Sequence, residues 1–144
     1  LGLLDTYFGV ILIYGTINLP YVVWMTKSFI SDIPPELDEA ALVDGCSRLG
    51  VLRRVVLPLA APGMISTGIF VFILCWSEFI FALLLTSMQT KTLPVAIATF
   101  ITDRGIEWGK MSAAGSALVL PLAVMFYFIQ QYLVRGLTFG AIKG

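Results

Sequence analysis

PPELDEAALVDGCSRLGVLRRVVLPLAAPG, residues 34–63, lies between two long apolar stretches. It holds four acids, three arginines and four prolines, in a chain of 144 residues with 9 acids, 9 bases and 7 prolines in all. Whether this run is a connector or an organised element decides how the flanking chain is arranged.

Pro34-Pro35 ends whatever precedes it and suits a helix start, because proline is favoured at the first helical position. Glu36, Asp38 and Glu39 then fall in the first turn, where acids interact well with the positive end of the helix dipole. Leu37, Ala40 and Ala41 share one face at spacings of three and four. Gly45 is placed to end this helix in a left-handed cap. Ser47 can cap a second short helix over Arg48–Val56, which Leu57-Pro58 is expected to stop. The run thus reads as helix, glycine corner, helix. It is too organised for a simple connector and suits a docking element for a soluble partner.

The flanking chain is of a different kind. The sequence is 58% hydrophobic and only 12% charged, against about 25% charged in a soluble domain. Such a chain cannot cover itself with polar surface, so lipid is the expected solvent for much of it. A helix needs about 20 apolar residues to cross the hydrocarbon core, and spans are expected at about 6–29, 63–86 and 112–134. Pro58 and Pro62 argue against a start of the second span before Gly63. Gly15 and Pro20 in the first span and Pro121 in the third are tolerated in membrane helices and often kink them. Barrel-like strand alternation is absent.

Six of the nine basic residues flank the first two spans on one side or follow the third: Lys27, Arg48, Arg53, Arg54, Arg135 and Lys143. The other three, Lys91, Arg104 and Lys110, lie between the second and third spans. The positive-inside rule therefore places loop 30–62 and tail 135–144 in the cytoplasm and loop 87–111 outside. Within the outer loop, LPVAIATFI (93–101) is either a short surface helix or an ordinary connection, and Trp108 suits an interface. The chain opens on Leu1 without an initiator Met or a basic leader, so a partly covered chain is expected. An odd number of spans before Leu1 would bring its N-terminus into the cytoplasm.

Net charge is zero, giving no reason to expect a nucleic-acid partner. Histidine is absent, which removes the commonest general base and metal ligand. Cys46 and Cys75 fall in different environments and do not read as a disulfide or metal pair. Glu78 is an ionisable group inside a span and hence a functional hypothesis by default. It has either a structural or gating role or a direct contact with solute.

Glu39-Ala40-Ala41, Gly45 after three residues and Val55-Val56-Leu57-Pro58 after nine more resemble the EAA loop of binding-protein-dependent ABC importer permeases. Val55 stands where that pattern has isoleucine, and Cys46 where a small alanine is usual. CWSEF (75–79) resembles the family's W-N-E-F segment, with Ser77 for Asn. The ending QQYLVRGLTFGAIKG (130–144) is similar to that of the carbohydrate, maltose-type, MalG-like branch. The resemblance covers essentially the whole chain.

It implies an all-α polytopic membrane protein of MetI-like permease fold, in a bacterial or archaeal plasma (inner) membrane. The chain would be the C-terminal half of a six-span permease, with three spans before Leu1. A second permease subunit, two ABC ATPase subunits, an extracytoplasmic solute-binding protein and membrane lipid are the implied partners. The implied substrate is a sugar, di- or oligosaccharide, with most sugar contacts on the partner permease. No cofactor is implied for this chain, ATP and Mg belonging to the ATPase. Glu39, Ala40, Ala41, Asp44, Gly45, Leu57 and Pro58 would couple to that ATPase. Arg135, Gly136, Gly140, Lys143 and Gly144 would form a tail that contacts it. Trp76, Ser77, Glu78 and Phe79 are candidates for the translocation path.

Other classes fit less well. An intramembrane enzyme using Glu78 or Asp103 would lack a second carboxylate within a span, any histidine and a nucleophile motif. A scaffold would not need the EAA loop. Glycerol phosphate, a polyamine or an amino acid is the alternative cargo, although a phosphorylated solute should call for basic residues in the spans.

Overall fold

A computed structural model describes residues 2–103 and 105–140, with side chains described through residue 127 apart from 104. The chain is mainly helical, in the order α1 (Tyr7–Ser31), α2 (Pro35–Val43), α3 (Arg48–Val51), a π-helical turn (Leu52–Val56), α4 (Leu57–Ser77), α5 (Ile80–Leu85), α6 (Leu93–Ala98), β1 (Ile101–Thr102), β2 (Gly105–Ile106) and α7 (Trp108–Gly140). Among the described residues, three helical stretches are long and apolar enough to cross a membrane: Tyr7–Ser31 with 25 residues, Arg48–Ser77 with 30 and Trp108–Tyr127 with 20. Large side chains along them, such as Ile11, Trp24, Leu74 and Leu120, are exposed. Exposure on this scale is costly in water and costs nothing against lipid tails.

The chain divides into two compact units, Leu1–Asn18 with Phe72–Gln130 and Leu19–Val71 with Gln131–Gly144. In the second unit, Val51, Val56 and Ala60 are buried where α3, the π turn and α4 follow one another. Gly63 is also buried because the Phe29 ring lies directly on its α-carbon, leaving no space for a β-carbon. That close approach fixes one glycine and one aromatic ring as a contact between α1 and α4.

The helical path around Pro58 and Pro62 departs from the expectation that proline holds the span back to Gly63. The helical path does not stop at Leu57-Pro58: α3 passes into the π turn, and α4 begins at Leu57 and runs through Pro62. The physical reason lies in the preceding turn. In an α-helix the ring of Pro58 would press on the Arg54 carbonyl and leave it without a donor. Here the Leu57 amide donates to the Leu52 carbonyl, five residues back, so the wider turn accommodates the ring. The Pro62 carbonyl in turn accepts from the Ser66 hydroxyl at 3.0 Å.

In the first unit, Thr6 caps α1, its Oγ1 accepting from the Gly9 amide at 3.1 Å. The expected second span is interrupted: α4 ends at Ser77 and α5 starts at Ile80. Beyond α5, the stretch 93–101 contains helix α6, begun by Thr92 and Pro94. A two-stranded ladder follows, Ile101 opposite Ile106 and Thr102 opposite Gly105, which hydropathy gave no sign of. Helix α7 begins at Trp108 and continues as far as Gly140, past the expected end of the third span at residue 134.

Candidate functional site

The loop that follows α1 is built as two short helices around Gly45. Pro35 opens α2, with Glu36 and Asp38 in its first turn. At its other end the Gly45 amide donates to the Leu42 carbonyl at 3.1 Å and the Cys46 amide to Ala41 at 3.0 Å. These paired bonds define a Schellman cap, which requires a left-handed residue at Gly45, and its φ is +85°. Ser47 then caps α3, accepting from the Gly50 amide at 3.2 Å.

This arrangement leaves the EAA residues outward. Glu39, Ala40, Asp44, Gly45, Leu57 and Pro58 are exposed and Ala41 is half-buried. Leu37, Leu42 and Leu49 are also substantially exposed, and Val43 is 86% exposed, so the element presents apolar surface with low-profile alanines. Glu39 has no salt bridge among the described residues. Asp38, Leu42, Arg48, Val51, Leu52 and Val56 line a shallow groove of about 330 Å³ in the same unit. One Asp38 oxygen is withdrawn from solvent without a hydrogen-bond partner.

The tail candidates divide at the end of the described chain. Arg135, Gly136 and Gly140 lie on the backbone of α7. Lys143 and Gly144 lie outside the described residues.

Of the four translocation-path candidates, Trp76 borders a cavity. The indole donates from Nε1 to the Leu118 carbonyl at 3.0 Å and stacks on Phe72 at 5.5 Å and 21°. Together with Tyr14, Phe72, Cys75, Thr92, Leu93 and Pro94 it lines a cavity of about 340 Å³. Ser77 turns its hydroxyl back to the Ile73 carbonyl at 2.8 Å. Glu78 holds the interruption between α4 and α5: its two oxygens accept from the Phe81 amide at 2.8 Å and the Ala82 amide at 3.0 Å. Phe79 sits in the gap between the two helices, with φ −120° and ψ −43°. A carboxylate engaged with two backbone amides is capping a helix start inside an apolar segment, where unmet donors are expensive. Among the alternatives for Glu78, this geometry describes the structural one. The Tyr14 hydroxyl lies beside the Glu78 carboxylate, buried, without closing an aligned hydrogen bond.

Sequence reasoning missed Asp5. Its carboxylate accepts from the amides of Ser87 at 2.9 Å and Thr90 at 3.1 Å, and from the Thr90 hydroxyl at 2.9 Å. The Gln89 amide adds longer bonds of 3.3 Å to both oxygens. The Asp5 amide in turn donates to the Leu85 carbonyl at 2.8 Å. These donors, the Ser87 amide foremost, hold the Asp5 carboxyl below the ordinary carboxylate range. The only sequence-level cue was an acid one residue ahead of the Thr6 cap. Its partners are more than 80 positions away, beyond any local pattern.

Residues 1–139 match the family of the binding-protein-dependent transport system inner membrane component. The chain belongs to this family, an all-α, MetI-like permease domain of the inner membrane. Among its relatives is the trehalose/maltose transport system permease protein MalG of Thermococcus litoralis, 43% identical over 146 residues, covering 100% of this chain and 52% of the relative. The diacetylchitobiose uptake system permease protein DasC of Streptomyces coelicolor is 38% identical over 144 residues, 99% of this chain and 52% of the relative. The inner membrane ABC transporter permease protein YcjP of Escherichia coli is 37% identical over 145 residues, again 100% and 52%. The chain spans about half the length of the curated relatives it matches.

Proposed function

We propose that this chain is part of the transmembrane permease subunit of an ATP-driven ABC importer for sugars, di- or oligosaccharides. The observation that carries the reading is the helix, glycine corner and helix at residues 35–56, on which Glu39, Ala40 and Gly45 are exposed and Ala41 is half-buried. The family match and relatives named for trehalose, maltose and diacetylchitobiose transport support it.

The chain itself performs no bond chemistry in this reading. Two partner ATPase subunits bind ATP and Mg, and closing them moves the α2 corner seated in one of them. The small side chains of Ala40 and Ala41 permit close seating, and Gly45 sets the turn out of the contact. Glu39 is available to a basic group of the ATPase. Ser47, Val51 and Val56 tie the corner to α4 through a continuous helical path, so a displacement there tilts the span. The membrane spans then exchange inward- and outward-open states, each favoured by a different nucleotide state. A second permease subunit completes the path, and an extracytoplasmic binding protein delivers the sugar from outside.

The test is the pair Glu39→Lys and Gly45→Pro in the complete permease. Proline cannot adopt φ +85° or donate the Gly45 amide. The double variant should stay in the membrane, lose co-purifying ATPase and lose ATP-driven uptake of labelled disaccharide. Unchanged co-purification and uptake would remove the coupling role. Uptake of amino acid or polyamine instead of sugar by the parent complex would select the alternative cargo.

A further inference from the structure

The consecutive residues at the break between α4 and α5 reach different parts of their unit. Cys75 Sγ accepts from the Asn18 side-chain amide on α1 at 3.4 Å. Trp76 donates from Nε1 to the Leu118 carbonyl on α7 at 3.0 Å. Ser77 bonds back to Ile73 on its own helix, and Glu78 holds the Phe81 and Ala82 amides of α5. The Trp76 bond meets a turn that its own helix cannot complete. Pro121 lies inside α7. It has no amide for the carbonyl four residues earlier, that of Ala117, and its ring presses on that turn. Leu118 belongs to the same turn. Inside a membrane such a turn is tolerated when a neighbouring helix supplies polar partners. An indole N–H can only donate, and the Phe72 ring stacked on it at 5.5 Å restricts its rotation. Trp76 therefore brings a fixed donor from one interrupted span to the weakened turn of another.

We propose that Trp76 is a positioning residue of the transport cycle: its bond to Leu118 ties the end of α4, at the Glu78 break, to the Pro121 turn of α7, so that the two interruptions move as one joint. Left untied, each weak point would bend by itself, and a displacement arriving along α4 would be lost at the break beside Glu78. With the tie in place, a movement of the last turn of α4 pulls on α7 at the turn that yields most readily. The Glu78 cap serves the same joint from the other side, keeping α5 helical up to the break. The indole acts through the backbone of α7 and touches no solute in this role. The inference rests on the importer reading, in which α4 carries the motion, and adds the residue that passes it to a second span.

The test uses the complete permease assembled with its ATPases and binding protein in proteoliposomes, with trehalose and maltose as probes. Trp76→Phe keeps an aromatic ring against Phe72 and removes the N–H. It should lower the disaccharide taken up per ATP hydrolysed about five- to tenfold, the scale of one lost hydrogen bond, with KM and ATPase co-purification retained. A merely structural role would lower the yield of complex and leave that ratio at the parent value. The second readout is the distance between nitroxide-labelled cysteines at positions 110 and 124, on either side of Pro121 and about 21 Å apart on a straight helix, in a Cys46→Ser, Cys75→Ser background. Trp76→Phe should broaden the distance distribution. In Pro121→Ala, where the helix has its own amide at 121, the same substitution should leave the distribution unchanged. An unchanged ratio of uptake to hydrolysis in Trp76→Phe, or equal broadening with and without Pro121, would overturn the positioning role and leave the importer reading standing. A parent complex that binds and transports neither disaccharide would overturn the importer reading for these sugars, while the distance measurement would still decide whether Trp76 holds the Pro121 turn.

Discussion

At the residue scale, Glu78 illustrates how an acid in an apolar span can belong to the backbone. Its two oxygens meet the Phe81 and Ala82 amides, which an interrupted helix would otherwise leave bare. Loss of such a cap costs about 0.5–2 kcal/mol. Glu78→Ala should therefore lower the thermal midpoint of the detergent-purified permease, and Glu78→Gln, which keeps an acceptor, should lower it less. Equal midpoints for the parent and Glu78→Ala would show that the carboxylate is not needed as a cap. The Phe29–Gly63 contact makes a second residue-scale prediction. A β-carbon at Gly63 would strike the Phe29 ring, and overpacking of this kind costs about 1–3 kcal/mol. Gly63→Ala should destabilise, and Phe29→Ala in the same chain should recover part of the loss by removing the obstruction. Thermal midpoints of the two single variants and the double variant check this coupling.

At the element scale, Asp5 and the segment 85–90 form a clasp held by backbone and side-chain donors. The folded carboxyl lies below its ordinary value, so the charged form is the bonded one. Its stabilisation is present above the unfolded carboxylate pKa of about 3.9 and is lost as pH falls through the lower folded value. Proteolysis or amide exchange in segment 86–90 should be constant from about pH 5 to 8 and should accelerate in strong acid. Asp5→Asn should show the fast rate throughout. An equally protected Asp5→Asn segment would mean that the clasp carries no stability. Much of the local structure around residues 34–47 was legible because it rests on neighbours in sequence: Pro35 as helix starter, Gly45 in its cap and Ser47 as the next cap. The π turn was not, because the usual rule treats Pro58 as a stop and has no place for a widened turn that accommodates it. The break at Glu78 was hidden by a continuous apolar run, in which hydropathy cannot register a change of backbone path.

At the scale of the whole molecule, three apolar helical stretches and an exposed, charged corner are the features that composition could reveal. Lipid exposure explains why few side chains are buried and why periodicity along the spans carried little information. The cavity beside Trp76 was only partly visible: CWSEF drew attention to Trp76, but Tyr14 and Thr92 come from stretches with no shared motif. The central claim, that the corner at residues 35–56 transmits ATPase motion to this subunit, is tested most directly by cross-linking in the assembled transporter. A cysteine at position 41, in a background with Cys46→Ser, should form a covalent adduct with the ATPase subunit through a short bis-maleimide. That adduct should block ATP-driven sugar uptake. An assembled, transporting complex that yields no adduct from this position, or that transports at the parent rate with the adduct formed, would contradict the account.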